Sequence, residues 1–412
     1  MSTSPDVEWV PVRELGEVRT GKQLSPSSRE AANQFPYLRV ANVHLGRIEY
    51  VDVNEMGFTS AERVTYGLKP GDILLNEGQS LELVGRSAIY DRAEGEFCYQ
   101  NTLIRFRPNG RVLSAYAQLV FEHWLRSGVF AAIAKQTTSI AHLGGDRFAA
   151  LKFPLLPTGM QQRIVDVLES LAELERGIEA SIAKLRSVRE GMLLSLATPN
   201  GRSGSPMTPL RELLDRLEVG IPSMGPEGVP NPGEWGVMRL GAVTSGIFDA
   251  QKIKRIPSQV MVRPELEISR GDVLMVRVNG SARLVGSICV VDEAPRRIML
   301  SDLVMRLVAD ARVLDPAYLG AVLVAPHVRR QIVSKFRGTS GQFQLPQEEL
   351  KSIEIPLPSV IRQRQDVAVL AACDRKIARE ADQLAKLRQL RAGLVDDLLS
   401  ERVAVLGAGA EE

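Results

Sequence analysis

The sequence lacks the features that define several protein classes. Its 412 residues include only three cysteines, Cys98, Cys289 and Cys373, which lie far apart and form no CxxC pair. This pattern argues against a disulfide framework or a zinc ribbon and favours the reduced thiols of a cytoplasmic protein. No apolar run reaches the length of about eighteen residues that a membrane span needs, and no basic cluster followed by an apolar stretch opens the chain. We therefore expect neither a membrane protein nor a secreted one.

Strong charge of either sign is also missing. The chain carries 51 Lys and Arg against 49 Asp and Glu, for a net charge of +2. Charge alone thus neither predicts nor excludes nucleic-acid binding, which usually shows as a markedly basic domain. With 44% hydrophobic and 24% charged residues, the composition is that of a folded soluble protein, and the length allows two or three domains.

What the chain does contain is a long, diverged internal repeat. Its anchors, in chain order, are VPVRELGEVRTG (10–21) with GVMRLGAVTSG (236–246), PGDILLNEG (70–78) with RGDVLMVRVNG (270–280), LVGRSAIY (83–90) with LVGSICVV (284–291), LIRF (103–106) with VMRL (304–307), Thr138-Ser139 with Thr339-Ser340, and LKFPLLPTGMQQR (151–163) with KSIEIPLPSVIRQR (351–364). Several matches in one order indicate a duplicated module. On these anchors the second copy is about 25 residues shorter and lacks a counterpart of FPYLRVANVHLGRIEY (35–50).

Each copy combines strand and helix signals, which predicts an α+β fold. Short apolar runs bounded by Gly, Pro, Asn or Asp are typical of strands. Residues 115–127 and 317–336 have the spacing of helices, and Pro326 should break the latter. We predict a first module at 1–157, a long helix at 158–198, a linker at 199–234, a second module at 235–358, a second long helix at 359–404 and a tail at 405–412.

The two long helices carry one apolar stripe each. At 1.5 Å rise per residue, about 36 residues would extend roughly 54 Å. A stripe on so long a helix must be covered by a partner of similar length, so we predict that the two helices pack together as an antiparallel coiled coil rather than pad separate cores. The predicted contact residues are Ile164, Leu168, Leu171, Leu174, Ile178, Ile182, Leu185, Ile377, Leu384, Leu387 and Leu394.

These features together resemble the specificity (S) subunits of type I restriction-modification systems. The resemblance rests on the opening of each half, in which a Trp is followed after four or five residues by LG-x-V, and on the GD-[IV]-L strand, the T-S loop, the proline-rich run before QQR or RQR, and the long helix that follows. One departure is the absence of a glutamate before the glutamine at the start of each helix, where the chain has Met160-Gln161-Gln162 and Ile361-Arg362-Gln363.

The resemblance implies a function and partners. Each module would be a target-recognition domain that reads one half of a split, asymmetric DNA target, and the helices would be spacers that hold the gap at fixed length. The partners would be two copies of an adenine methyltransferase (modification) subunit, which uses S-adenosylmethionine, and a motor-nuclease (restriction) subunit.

Nothing in the sequence marks an active site. NPGEW (231–235) has no second proline, and VLGAGA (405–410) has no strand or helix after it, so neither is a methyltransferase motif. Asp72 and Asp272 stand in Gly-Asp turns before strands, and His44, His123, His142 and His327 are scattered without metal spacing. We predict no catalytic residue, no metal and no cofactor in this chain.

Base edges are read by Arg, Asn, Gln, Ser and Thr, and phosphates by Lys and Arg. AKQTTSIAH (134–142) and SKFRGTSGQFQ (334–344) are rich in such groups and free of acids. The candidate DNA-binding residues are Lys22, Arg39, Asn42, Arg86, Gln100, Asn101, Lys135, Gln136, Thr137, Thr138 and Ser139 in the first module, and Arg277, Asn279, Arg283, Lys335, Arg337, Thr339, Ser340, Gln342 and Gln344 in the second.

Two other functions stay open at this point. One is a DNA enzyme with an undetected active site, which incubation with DNA, Mg²⁺ and S-adenosylmethionine would reveal. The other is a coiled-coil scaffold that recruits partners without reading DNA, which sequence-selective footprinting would separate from a DNA reader.

Overall fold

The computed structural model describes residues 7–136, 140–197, 205–222, 225, 228–231, 233–257, 261–294, 296–338 and 341–399. They fall into two compact units, one formed by residues 1–178 with 383–412 and the other by residues 179–382. Each unit combines small sheets with helices, which confirms the predicted α+β class. Among the described residues, no helix is both long enough and apolar enough to cross a membrane.

The first unit contains the whole first module. Its strands are β1 (Glu8–Pro11), β2 (Gly16–Thr20), β3 (Gln34–Leu38), β4 (Val43–His44), β5 (Arg47–Ile48), β6 (Asn54–Gly57), β7 (Ile73–Asn76), β8 (Gly78–Gln79), β9 (Ser87–Ile89), β10 (Cys98–Tyr99), β11 (Leu103–Pro108), β12 (Lys135–Gln136), β13 (Ala141–His142) and β14 (Lys152–Leu155). Its helices are α1 (Pro26–Arg29), α2 (Ser60–Tyr66), α3 (Ser114–Arg126), α4 (Val129–Ile133), α5 (Gly145–Ala150) and the first part of α6 (Thr158–Ala197).

The main sheet of this unit is antiparallel, in the order β2-β11-β7-β9. All four residues of β7 are buried, because helix α3 covers one face of the sheet and the β10-β3-β6 sheet packs on the other side of the same strands. Aromatic rings fill the core below α3, where Phe121 meets Phe148 edge-on with ring centroids 5.2 Å apart. Strand β7 follows the Gly-Asp turn, in which Gly71 has φ +90° and the Asp72 carboxylate accepts the Lys69 N–H at 2.8 Å.

The second unit contains the second module. Its strands are β15 (Met207–Pro209), β16 (Leu214–Val219), β17 (Gly236–Met238), β18 (Ile253–Arg255), β19 (Val273–Val276), β20 (Val278–Asn279), β21 (Ile288–Val290), β22 (Ile298–Met299), β23 (Val304–Ala309), β24 (Phe343–Gln344) and β25 (Glu354–Pro356). Its helices are α7 (Pro316–Val324), α8 (Pro326–Ser334), α9 (Gln347–Lys351) and the first part of α10 (Val360–Leu399), and Pro326 separates α7 from α8 as predicted.

The predicted linker at 199–234 is wrong for residues 207–219. Strand β15 pairs with β25, and β16 pairs with β23 in the main sheet β16-β23-β19-β21, so residues 207–219 are part of the second module. The equivalent pairs in the first unit are β1 with β14 and β2 with β11. Residues 10–21 therefore correspond to the segment around 208–220, not to 236–246 as the sequence anchors had it.

This correction restores the segment that the second copy was expected to lack. Strand β17 pairs in parallel with β22 and antiparallel with β18, just as β3 pairs with β10 and β6. The counterpart of residues 35–50 is thus present and begins near Trp235. The misalignment has a local cause: the Leu15-Gly16 pair recurs as Leu240-Gly241, whereas its structural counterpart is Leu213-Leu214, which lacks the glycine.

The long helices α6 and α10 contribute to both units, and in each unit their segments run antiparallel. In the first unit Ile164 and Leu168 of α6 share a core with Val395 of α10, while Glu175 further along α6 pairs with Arg391. In the second unit the Cys373 thiol lies 3.5 Å from the Leu185 carbonyl oxygen, and Arg189 pairs with Asp374.

The predicted contact stripe needs one correction. Leu174 is 58% exposed, and the neighbouring Glu175, only 8% exposed, takes the inward position instead. The other predicted residues are buried or half-buried, and they are Ile164, Leu168, Leu171, Ile178, Ile182, Leu185, Ile377, Leu384, Leu387 and Leu394. Hydrophobic spacing alone could not place Glu175, because a leucine beside it fits the same three-or-four step.

Candidate nucleic-acid interface

In the first unit, a small sheet with the order β12-β13-β8 presents exposed polar groups. Lys135 and Gln136 form β12, and both are exposed. The sheet is held from below by Glu77, whose carboxylate lies 3.0 Å from Nδ1 of His142, and by Arg147, which donates to the His142 carbonyl oxygen at 2.6 Å. The predicted residues Thr137, Thr138 and Ser139 lie outside the described residues.

In the second unit, the equivalent place is the β20–β24 pair. Asn279 of β20 faces Phe343, and Arg337 forms two backbone hydrogen bonds of 2.8 Å with Gln344. Gln342 is exposed beside them. The structure thus brings Asn279, Arg337, Gln342 and Gln344 together, while Thr339 and Ser340 lie outside the described residues.

One carboxylate restrains two of the predicted cations. Glu349 of α9 lies 2.6 Å from Arg337 and 3.2 Å from Lys335. Hydrogen bonds from Arg337 and Lys335 lower the pKa of Glu349, so it is ionised at neutral pH. The side chain of Arg337 is still 69% exposed, and its charge is therefore partly offset but accessible.

Two predicted residues of the first module, Asn42 and Arg39, have partners within the module. Asn42 is 2% exposed; its side chain accepts the Arg39 N–H at 3.0 Å and donates to the carbonyl oxygens of Glu49 and Asp52. Asn42 therefore shapes a loop and cannot reach DNA in this conformation. Arg39 pairs with the Asp52 carboxylate at 2.7 Å.

Lys22 is similarly engaged. Its ammonium lies 2.7 Å from the Glu62 carboxylate, donates to the Gly57 carbonyl oxygen at 2.8 Å and sits 5.0 Å from the centre of the Phe58 ring. Gln100 bridges to Lys22 through the backbone, and Asn101 follows it; both are half-buried. These groups hold the sheet edge together, which sequence could not distinguish from a ligand-facing role.

The remaining arginines differ in accessibility. Arg86 is half-buried, burial lowers its pKa, and its Nε has no hydrogen-bond partner among the described residues. Arg277 donates to the Asp302 carbonyl oxygen at 3.3 Å. Arg283 is exposed and lines a groove of about 310 Å³ with Ser245, Ser287 and Arg329. Arg329, which the sequence analysis did not select, is half-buried and donates to the Val285 carbonyl oxygen at 2.6 Å, so it shapes this groove.

Buried charge supports each main sheet. Arg105 is 1% exposed and lies 2.6 Å from Glu17. Burial alone would raise the pKa of Glu17, but the hydrogen bond from Arg19 and the charge of Arg105 outweigh it and lower that pKa. In the second unit Arg306 occupies the same place between Glu218 and Asp272.

The histidines and cysteines, which are the residue types most often found in metal and catalytic sites, form no such cluster among the described residues. No group of three or more His, Cys, Asp or Glu there could hold a metal ion. His44, His123 and His142 each lie beside one carboxylate. The three cysteines are free and buried, and burial raises the pKa of Cys98 to about 12 and that of Cys289 to about 11.

Comparison with known proteins links this arrangement to a family. Residues 5–184 match the model of the Type I restriction modification DNA specificity domain. The chain is 27% identical over 192 residues to the Type I restriction enzyme EcoEI specificity subunit of Escherichia coli, covering 45% of this chain and 32% of that protein. It is 22% identical over 361 residues to the EcoKI specificity subunit of E. coli strain K12, covering 81% and 74%. The first match thus spans about a third of the relative's length.

The fold is shared with a solved structure. The crystal structure of the HsdS subunit from Thermoanaerobacter tengcongensis superposes with a TM-score of 0.56 at 16% identity, covering 97% of this chain and 98% of that one.

Proposed function

We propose that this chain is a specificity (S) subunit of a type I restriction-modification system and that it reads a bipartite, asymmetric DNA target with one module for each half. The long helices α6 and α10 would act as an antiparallel coiled-coil spacer that fixes the gap between the halves. Two weak reading events would then combine through a high effective concentration, and specificity would come from requiring both at a set spacing.

One observation carries this proposal: the two units repeat the same buried skeleton. Arg105 pairs with Glu17, and about 200 residues later Arg306 pairs with Glu218. The Tyr116 hydroxyl donates to the Pro154 carbonyl oxygen at 3.0 Å, and the Tyr318 hydroxyl donates to the Pro356 carbonyl oxygen at 2.9 Å. Two readers of one build, each leading into a helix of 40 residues, suit a target that has two halves.

Partners and chemistry follow from the same proposal. Two copies of an adenine methyltransferase subunit would bind S-adenosylmethionine and transfer the methyl group, and a restriction subunit would supply the motor and nuclease. This chain would work in the cytoplasm, hold no cofactor and catalyse no step. Incubation of the isolated chain with DNA, Mg²⁺ and S-adenosylmethionine should give neither cleavage nor methyl transfer.

Adenine-methylation profiling of the source genome tests the function most directly. We expect a split motif methylated on both strands, and we expect its methylation to vanish when the coding sequence of this chain is deleted. Methylation that is unchanged after the deletion would contradict the proposal, and a motif without a gap would contradict the bipartite reading.

The DNA-facing residues can be tested in the complex with the methyltransferase subunit. Replacing Lys335 and Arg337 by Ala should weaken binding to all DNA and reduce the salt dependence by up to about one counterion per lost phosphate contact. Replacing Gln342 by Ala should instead change sequence preference. An unchanged salt slope for the double variant would refute the assignment of these cations.

A further inference from the structure

A single buried amide joins the first module to its long helix. Gln161, in the first turn of α6, is 0% exposed. Its Nε2 donates to the Leu156 carbonyl oxygen at 2.8 Å and to the Arg111 carbonyl oxygen at 3.1 Å, and its Oε1 accepts the Leu113 N–H at 2.8 Å. One side chain thus links the start of α6, the end of β14 and the segment that leads into α3.

The second unit contains the same joint. Gln363, in the first turn of α10, is also 0% exposed. Its Nε2 donates to the carbonyl oxygens of Pro358 and Val313, each at 2.8 Å, and its Oε1 accepts the Asp315 N–H at 2.8 Å. The three segments joined are the equivalent ones: the helix start, the end of β25 and the approach to α7.

This geometry corrects the register read from sequence, which set Gln162 against Gln363. Gln162 is exposed and hydrogen-bonds to Asp166 of its own helix, so it is not part of the joint. Each joint uses both N–H donors of the amide and one hydrogen bond to its oxygen, and the three bonds reach three different backbone groups. Such a group resists rotation of the module about the helix, because any swing would leave buried carbonyl and N–H groups without partners.

We propose that Gln161 and Gln363 are positioning residues that clamp each module to its helix and thereby make the complex discriminate between gap lengths. This rests on the proposed function. A target whose gap is one base pair too long or too short can be bound only if a module turns or shifts on its helix. Stiff joints penalise that movement, so loosened joints should tolerate the wrong gap.

The test uses the complex of this chain with the methyltransferase subunit and measures its affinity for three DNA duplexes. One duplex carries the split motif that methylation profiling identifies, and in the other two the gap of that motif is one base pair longer or shorter. The variants are Gln161→Leu and Gln363→Leu, with the isosteric Gln161→Glu and Gln363→Glu, which keep the acceptor and lose the donors. Gln162→Leu and Gln365→Leu are matched controls, since both of these glutamines are exposed on the same turns.

We expect the ratio of affinities for correct and wrong gaps to fall by about tenfold in the buried-site variants, the effect of losing roughly one net buried hydrogen bond, and to be unchanged in the controls. Affinity that falls equally for all three duplexes, with the ratio preserved, would show that the glutamines only stabilise the fold and would overturn the inference.

Hydrogen exchange supplies a second readout that needs no DNA. The Leu113 amide should exchange faster in the Gln161→Leu variant, which removes the acceptor of its hydrogen bond, while amides in the middle of β11 stay protected. Exchange unchanged at Leu113 would overturn the clamp even if the variants bind DNA poorly. If the complex binds no split target at all, the proposed function fails, whereas the exchange result still decides whether the joint is rigid.

Discussion

Glu175 offers a sharp test of how the long helices are held together. It is 8% exposed on the stripe of α6 that packs against α10, with Arg391 at 2.8 Å and Arg388 at 3.9 Å. Both arginine side chains stay partly in solvent, at 39% and 53% exposure. Desolvation of the carboxylate therefore offsets most of the attraction, and the pair should add little net stability.

Replacing the Glu175 carboxylate should change the free energy of unfolding less than replacing the arginines that neutralise it. Glu175→Met keeps the volume and removes the buried charge, so the free energy of unfolding should change by no more than about 1 kcal/mol in either direction. Arg391→Ala leaves the carboxylate with Arg388 alone and should cost about 1–2 kcal/mol, while Arg388→Ala with Arg391→Ala should cost about 3 kcal/mol.

Urea unfolding of the full chain measures these differences. Trp9 and Trp124 lie in the first unit and Trp235 in the second, so a Trp235→Phe background makes tryptophan fluorescence report the unit that contains Glu175. If Glu175→Met is as destabilising as the double arginine variant, the pair is a net source of stability and the reasoning above is wrong.

Three further predictions use single substitutions. Leu168→Ala should cost about 2–4 kcal/mol because Leu168 is 4% exposed, whereas Leu174→Ser should cost under about 0.5 kcal/mol, and equal costs by urea unfolding would restore the stripe read from sequence. Glu17 has a lowered pKa, so its contribution is complete above pH 4.5 and is lost as the pH falls through the folded value; Glu17→Gln should be less stable than wild type at pH 7 and converge with it in acid. If the variant and wild type still differ in free energy of unfolding at low pH, the ion pair is not the cause of the difference. Glu349→Gln removes the carboxylate that pairs with Lys335 and Arg337, so it should tighten DNA binding and make the affinity fall more steeply with salt. Binding is measured at several salt concentrations, and plots of log affinity against log salt that run parallel for the variant and wild type would contradict this prediction.

The sequence predicted those features that depend on local pattern. Apolar residues spaced three or four positions apart predicted the long helices, and Pro326 predicted the break between α7 and α8. Each of these signals acts within a few residues of the chain. The start of the second module was missed although PVREL (11–15) recurs there as PLREL (209–213). The pairing that places it in the module joins β15 to β25, nearly 150 residues further along the chain, and local pattern does not report such a contact. The Leu-Gly pair at Leu240-Gly241, which matches Leu15-Gly16, led the alignment to the wrong place.

Individual interface residues were harder to predict than the fold. Residue type identifies groups that can bind DNA but not whether they are already engaged. Asn42 and Lys22 have the right chemistry, and the structure uses both inside the module. Arg337 and Gln342 are exposed near β24, and Lys335 is half-buried beside them, so all three stay predictions that binding experiments can test.

The corrected register also changes which residues should be sought as base readers. Under the proposed function the two modules read different half-sites, so a side chain that contacts bases has no reason to be the same in both. The residues that do recur, such as Arg105 with Arg306 and Gln161 with Gln363, are buried and bonded within the module. Recurrence therefore marks the scaffold, and specificity should lie where the copies differ on the surface. Arg86 is a half-buried position of this kind, because the equivalent residue in LVGSICVV is Ser287 and the Arg86 Nε has no hydrogen-bond partner among the described residues. Arg86→Ser should consequently change the preference for the first half-site and leave the second unaltered, whereas a uniform loss at both would assign Arg86 to the scaffold.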